Sequence, residues 1–159
     1  CAALIEQFRT EVAGLGPKLA VLLVQLPPKS ELNRRIAKAF FQALRRGVPA
    51  AIAVEPRHPS WFARGVGEWL ENQRVARVAA DPARVEGAAT PGGWDGLVYY
   101  RWHGAPRIYF SEYDEASLIA LKGRLKESAD RGVPTWCIFD NTASGAALGN
   151  ALSLMTQGG

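Results

Sequence analysis

Five short apolar segments recur along the chain, and most of the intervals between them carry a helical pattern. The interval 30–47 opens at Ser30 and closes at Gly47, residue types that favour the two ends of a helix. Strands that alternate with helices are typical of βα units around a parallel sheet. The predicted strands are LAVLLVQL (19–26), AAIAVEPR (50–57), VARVAAD (75–81), LVYYRWH (97–103) and TWCIFDN (135–141).

Three further helices are predicted at 59–73, 114–132 and 142–157. The second of these begins at an Asp, a favoured N-cap residue. The interval 81–96 is rich in Gly and Pro and takes the place of a helix, so we expect it to form a loop over the strand ends.

Length and composition fit one domain over residues 1–159. The chain is long enough to bury a core, and a content of 48% hydrophobic and 21% charged residues excludes a disordered protein. The apolar run 19–26 is too short to cross a bilayer, which needs ~20 residues, and no secretory signal pattern opens the sequence. Two cysteines offer no disulfide framework. We therefore expect a cytoplasmic protein with no membrane partner.

Polar side chains stand at the C-terminal end of every predicted strand. Alternation places Glu55 and Arg57 on one face of the second strand, opposite its bulkier residues, and Arg101 and His103 on one face of the fourth. The same argument assigns Asp81 and Asn141, but not the neighbouring Asp140, to that face. Because ligands bind beyond the carboxyl ends of parallel strands, we expect one shared mouth. Its candidate residues are Gln25, Glu55, Arg57, Asp81, Arg101, His103 and Asn141.

Several short motifs along the chain resemble the YecE-like family, also called domain of unknown function 72. The resemblance implies a TIM-barrel-like fold of eight βα units, distantly compared with sugar isomerases and without a firmly assigned reaction. Pro56 and Asp140 depart from the family pattern, in which an aromatic and a second Asn are usual. The motifs are VQLPP (24–28), VEPRHPSWF (54–62), Asp81, YYRWHG (99–104), YFSEY (109–113) and FDNTASGAALGNALSL (139–154).

The resemblance implies that the chain corresponds to the fourth to eighth βα units. A complete (β/α)₈ barrel needs ~200–250 residues, more than this chain has. The expected fold is therefore α/β: a partial TIM-barrel-like parallel sheet of about five strands with intervening helices, its N-terminal units absent. Open sheet edges favour pairing with a second copy of the chain.

The candidate residues fall into three chemical groups. Glu55 and His103 are the expected proton-transfer pair, because both can gain and release a proton at a partly buried mouth. Arg57, Arg101 and His58 are expected to bind an anion, helped by a helix that starts at Asn141 or Thr142. Aromatic stacking on the ligand is expected from Tyr109 and Tyr113. Metal binding is not predicted, since no close ligand spacing occurs and the arginines oppose a cation; the pattern does not indicate a cofactor.

Function stays open between classes at this point. The first interpretation is an enzyme that uses acid–base chemistry on a small polar, anionic sugar or phosphate compound. The second is a non-catalytic module for a nucleotide or nucleic acid, which a net charge of +4 and the aromatic residues would favour. A truncated, inactive fragment is the third. At each single residue the simpler alternative is a solvated charge, a helix cap or a structural ion pair.

Overall fold

A computed structural model describes residues 2–156 as a series of parallel strands with intervening helices. The strands are β1 (Val21–Gln25), β2 (Ala51–Glu55), β3 (Val75–Arg77), β4 (Ala79–Asp81), β5 (Gly92–Gly93), β6 (Val98–Trp102) and β7 (Thr135–Phe139). The helices are α1 (Ala2–Val12), α2 (Arg34–Gly47), α3 (Val66–Asn72), α4 (Glu115–Asp130) and α5 (Ala146–Thr156), and 3₁₀ turns cover Ala13–Lys18 and Pro59–Trp61.

The parallel strands form two sheets that meet within the third predicted strand. One sheet has the order β1-β2-β3-β5, with only β5 antiparallel, and the other has the order β4-β6-β7. Only Val78 separates β3 from β4, and its N–H still donates to the Val54 carbonyl at 2.9 Å. The five predicted strands thus lie side by side in chain order. The α/β class is confirmed: residues 2–156 match a partial TIM-barrel-like fold and do not close into a barrel.

The two faces of this array differ in the size of their side chains. The helix-facing side buries large residues, such as Ile52 and Val54 under α2 and α3, and Trp102 under α4. The inner side holds a cluster with smaller residues, Ala53, Ala76, Val78, Leu97 and Tyr99. This arrangement confirms the faces predicted for the second and fourth strands.

The predicted faces of the third and fifth strands are wrong. Val78 and Ile138 pack on the inner side, whereas Ala79 and Phe139 pack under the helices. Both strands carry apolar residues on both faces, so residue size did not distinguish inside from outside. The reversal turns the last residue of β4 and Asn141 towards the helix layer, and turns Asp140 towards the inner face.

The predicted start of α4 is confirmed, whereas α2 and α5 start later in the chain than predicted. Asp114 caps α4 as expected, accepting from the Ser117 N–H at 2.8 Å. The cap of α2 is Asn33, not Ser30, and α5 begins four residues later than the predicted 142. In the described part of the chain, no helix has both the length and the apolar character needed to span a membrane.

Candidate functional site

Arg101 lies at the centre of a buried polar cluster on the inner face. Its side chain extends from β6, and the residue is only 9% exposed. Nη1 donates to Gln25 Oε1 at 2.6 Å and to Glu55 Oε2 at 2.5 Å, and Nη2 donates to Asp140 Oδ2 at 2.6 Å. One guanidinium therefore joins the C-terminal ends of β1 and β2 to the residue that follows β7. These contacts occupy both terminal nitrogens, so Arg101 holds two carboxylates in place, while its buried Nε has no hydrogen-bond partner within 2–156.

Glu55 is the most buried charged residue of the cluster, at 2% exposure. Its Oε1 accepts from Arg57 Nη2 at 3.1 Å and from Arg57 Nε at 3.3 Å, while Oε2 binds Arg101. Burial disfavours the charged form and by itself would raise the pKa. The neighbouring His103 and the hydrogen-bonded Arg101 outweigh burial, and they lower the pKa of Glu55 to about 2. The carboxylate is therefore ionised throughout the neutral range.

His103 is buried between two carboxylates, at 5% exposure. Its Nδ1 lies 2.9 Å from Asp140 Oδ2, an oxygen that also accepts from Arg101. A carboxylate paired in this way only accepts hydrogen bonds, so Nδ1 carries a proton. The other nitrogen, Nε2, lies 3.4 Å from Glu55 Oε1 but is not aligned as a hydrogen bond, and no residue of 2–156 partners it. A proton taken up at Nε2 would have Glu55 beside it as an acceptor.

A small cavity adjoins this cluster. It contains about 20 Å³ of free space, which is room for roughly one water molecule. Apolar side chains from the segment 80–88 form one wall. Its charged and polar lining residues are Glu55, Arg57, Arg84, His103 and Tyr109.

Cations and anions nearly balance inside the cluster. Arg57 and Arg101 supply two positive charges, and Glu55 and Asp140 supply two negative charges, with the His103 imidazole between them. The balance makes the burial of the Glu55 and Arg101 charges tolerable, because each is paired. A proton on His103 Nε2 would leave the cluster one positive charge in excess, a state that an anionic ligand would stabilise.

Asp81 and Tyr113 lie outside this cluster. The Tyr113 hydroxyl donates to Asp81 Oδ1 at 2.8 Å and accepts from the Gly104 N–H at 2.9 Å. Its ring packs on Trp102 with 4.2 Å between centroids. Both residues were expected at the mouth, but the reversed face of β4 directs them into the helix-facing layer, where they connect β4 to the segment that precedes α4.

Asn141 and Thr142 also lie away from the mouth. The Asn141 side chain is fully buried and donates to the Ser111 carbonyl and to Asn150 Oδ1, at 2.9 and 2.8 Å. It does not cap α5, which starts at Ala146. Thr142 is exposed. Neither residue therefore lies at the start of α5, where the helix-start anion site was expected.

His58 belongs to a turn beside the cluster. Its Nδ1 accepts from the Ser60 N–H at 3.3 Å, which caps the 3₁₀ turn Pro59–Trp61, and its Nε2 lies 3.8 Å from the exposed Glu31.

The cluster on the inner face contains five of the eleven candidate residues: Gln25, Glu55, Arg57, Arg101 and His103. A sixth, Tyr109, lines the adjoining cavity.

Asp140 is the residue of the cluster that was not among the candidates. Two polar residues follow β7 directly, and alternation was counted from the wrong face. A usable signal was the balance of charge: a strand ending in Arg101 and His103 needs more than one carboxylate on the same face. Within 2–156, no three His, Cys, Asp or Glu side chains are grouped as a metal site requires.

One family model and three solved structures match the chain. The model for "Protein of unknown function DUF72" matches residues 1–159, whereas no curated protein matches the chain. A DUF72 family protein from Thermotoga maritima is 26% identical, with a TM-score of 0.78 over 95% of this chain and 63% of that one.

Two structures of a DUF72 family protein from Enterococcus faecalis also match. They are 20% and 23% identical, with TM-scores of 0.79 and 0.77 over 97% and 95% of this chain. This chain spans 63–66% of the length of the three matched structures. Because the family match extends over every residue, the chain belongs to the DUF72 family of proteins of unknown function.

Proposed function

We propose that this chain carries the acid–base centre of an enzyme that acts on a small polar compound with an anionic group, a sugar or phosphate compound. The observation that carries the proposal is the environment of His103. Asp140 holds Nδ1, while Nε2 has no hydrogen-bond partner within 2–156 and the ring lines a cavity. A buried nitrogen without a partner destabilises a folded chain, and one reason to retain it is that a ligand uses it.

His103 moves the proton in this proposal, and Glu55 does not. With a pKa lowered to about 2, Glu55 is a weak base and stays ionised at neutral pH. A proton that His103 accepted from the ligand at Nε2 would lie beside the Glu55 carboxylate, whose Oε1 is 3.4 Å away. Asp140 fixes the ring and its proton on Nδ1, so that Nε2 is the nitrogen that exchanges. His103 therefore acts first as general base and then as general acid.

Arg57 is the residue that binds the anionic group. Nε and Nη2 donate to Glu55, and Nη1 makes no hydrogen bond to another residue of 2–156. Arg84 lines the same cavity and adds a second positive charge. Guanidinium donors suit phosphate and carboxylate oxygens, and the cavity has room for about one such oxygen, so a ligand anchored there would place that oxygen beside His103.

Binding is testable because the chain has only two histidines, His58 and His103. Inorganic phosphate and glucose 6-phosphate are titrated while the imidazole resonances are followed by NMR, with His58→Gln to assign the two signals. We expect a saturable shift of the His103 signal that Arg57→Gln abolishes. Equal shifts of both histidines, or a His103 signal that no anion moves, would contradict the proposal.

The chemical step has its own assay. The chain is incubated with fructose 6-phosphate or ribose 5-phosphate in D₂O, and deuterium incorporation next to the carbonyl is measured by proton NMR. We expect the unaltered chain to catalyse this hydrogen–deuterium exchange. His103→Gln should abolish the exchange, and His58→Gln should preserve it. If the His103 resonance shifted only with AMP and oligonucleotides, and this binding weakened steeply with salt, the non-catalytic binding module would be favoured instead.

A further inference from the structure

Tyr109 has a backbone conformation that its residue type rarely adopts. Its φ is 71°, in the left-handed region that disfavours a side chain. Within 2–156, the only other non-glycine residue with positive φ is Arg74, at 53°. Arg74 precedes β3 and so lies at the opposite end of the sheet from the candidate site. Strain of this kind persists where surrounding contacts enforce it, and it clusters at binding sites.

Hydrogen bonds on both sides of Tyr109 hold this conformation. Its N–H donates to the His103 carbonyl at 2.5 Å, and its carbonyl accepts from the Ala143 N–H at 3.0 Å. The next carbonyl, of Phe110, accepts from Ser144 Oγ at 2.5 Å. The loop after β6 is thus fastened to β6 itself and to the segment before α5, and the backbone of Tyr109 cannot relax independently of both.

The backbone conformation of Tyr109 sets the position of its side chain. The ring stands edge-on against the His103 imidazole, with 5.9 Å between centroids and 88° between planes, yet 40% of the residue stays exposed. Tyr109 and Arg57 line the same cavity. Burial by itself would lower the pKa of Arg57, but Glu55 and then the Tyr109 hydroxyl outweigh burial and raise that pKa.

We propose, building on the function above, that Tyr109 is a ligand-binding residue whose hydroxyl joins Arg57 Nη1 in holding an anionic oxygen, of phosphate or carboxylate, beside His103. A phenol O–H and a guanidinium N–H in the wall of one cavity are the donors that an oxyanion needs. The left-handed backbone is the cost of placing the ring there: glycine or asparagine would adopt it more easily but would carry no phenol.

The first test separates the hydroxyl from the ring. Tyr109→Phe keeps the ring and the backbone conformation and removes only the O–H. The affinity for inorganic phosphate, measured by the His103 resonance shift, should fall roughly tenfold or more because a hydrogen bond to a charged oxygen is lost. A parallel titration with acetate distinguishes the anions: the one whose binding depends on the Tyr109 hydroxyl is the type that the site takes.

The second test measures the strain. Alanine normally stabilises a chain relative to glycine, but at positive φ the order reverses. Tyr109→Gly should therefore melt roughly 2–4 °C above Tyr109→Ala. The pair Arg74→Gly and Arg74→Ala is the matched control: it should show the same reversal and leave phosphate binding unchanged.

The outcomes distinguish this inference from the proposed function. If Tyr109→Phe binds phosphate and acetate as tightly as the unaltered chain while Arg57→Gln does not, the role of Tyr109 is refuted and the anion site at Arg57 stands. If Tyr109→Ala melted at a higher temperature than Tyr109→Gly, the claim that the backbone of Tyr109 is strained would be refuted. If the unaltered chain binds neither anion, both the site and this inference are overturned.

Discussion

Replacing Glu55 with glutamine should remove a pH-dependent part of the folding stability. Burial opposes the charged form, yet His103 and Arg101 lower the pKa of the carboxyl from 4.5 to about 2. Each unit by which the pKa is lowered corresponds to ~1.4 kcal/mol. The ionised carboxylate therefore stabilises the folded chain by about 3 kcal/mol at neutral pH. Glu55 is only 2% exposed, and water therefore does little to screen the interaction.

The direction of the pH effect follows from the two pKa values. The unfolded chain takes up this proton near pH 4.5, whereas the folded chain keeps the carboxylate ionised down to about pH 2. The stabilisation is complete above about pH 5 and is lost as the pH falls, with about 2 kcal/mol gone near pH ~3. Glutamine does not titrate, so the Glu55→Gln variant has no such loss.

Urea unfolding followed by circular dichroism, at neutral pH and near pH ~3, measures this difference. The advantage of the unaltered chain over Glu55→Gln should shrink by about 2 kcal/mol on acidification. Glu71→Gln, which changes an exposed carboxylate on α3, is the control and should show no such dependence. A difference between the unaltered chain and Glu55→Gln that is the same at both pH values would refute the idea that its partners hold the carboxylate ionised.

Three further changes test other parts of the fold. Arg101→Met leaves buried carboxylates without their shared cation and should lower the free energy of unfolding by about 3–5 kcal/mol; a loss below about 1 kcal/mol would contradict the burial of the pair. Tyr113→Phe removes the hydrogen bond to Asp81 and should lower stability by about 1–3 kcal/mol while leaving the phosphate-dependent imidazole shift unchanged. Burial raises the pKa of the Cys137 thiol to about 12, so the thiol should be unreactive in the native chain. In a Cys1→Ser background, Ellman's reagent at about pH 8 should label Cys137 in guanidinium but not in the native chain.

The strands and helices could be predicted because their patterns are regular. In β2 small and bulky residues alternate strictly, and at the end of β6 the charged Arg101 and His103 lie on either side of the apolar Trp102, so the inward direction of Glu55, Arg101 and His103 was predicted correctly. In the third and fifth strands both faces are apolar. Residue size then carries no information about direction, and one misassigned residue reverses the whole strand. For that reason Asp140 was missed, and Asp81 and Asn141 were expected at the mouth.

The roles of side chains were harder to predict than their positions. The sequence predicts that Arg101 is near the mouth, but only the distances show that both of its terminal nitrogens bind neighbouring residues. The strained backbone of Tyr109 has no sequence signal at all, because it depends on contacts with residues on either side of α4.

The contacts of Arg101 also bear on how the chain folds. Its three partners are 76, 46 and 39 residues away in sequence, so the guanidinium joins an early, a middle and a late segment. Contacts at such separations require closure of long loops and form slowly. The candidate site therefore assembles only when nearly the whole chain has folded. The imidazole signal of His103 should accordingly reach its native position in the last kinetic phase of refolding.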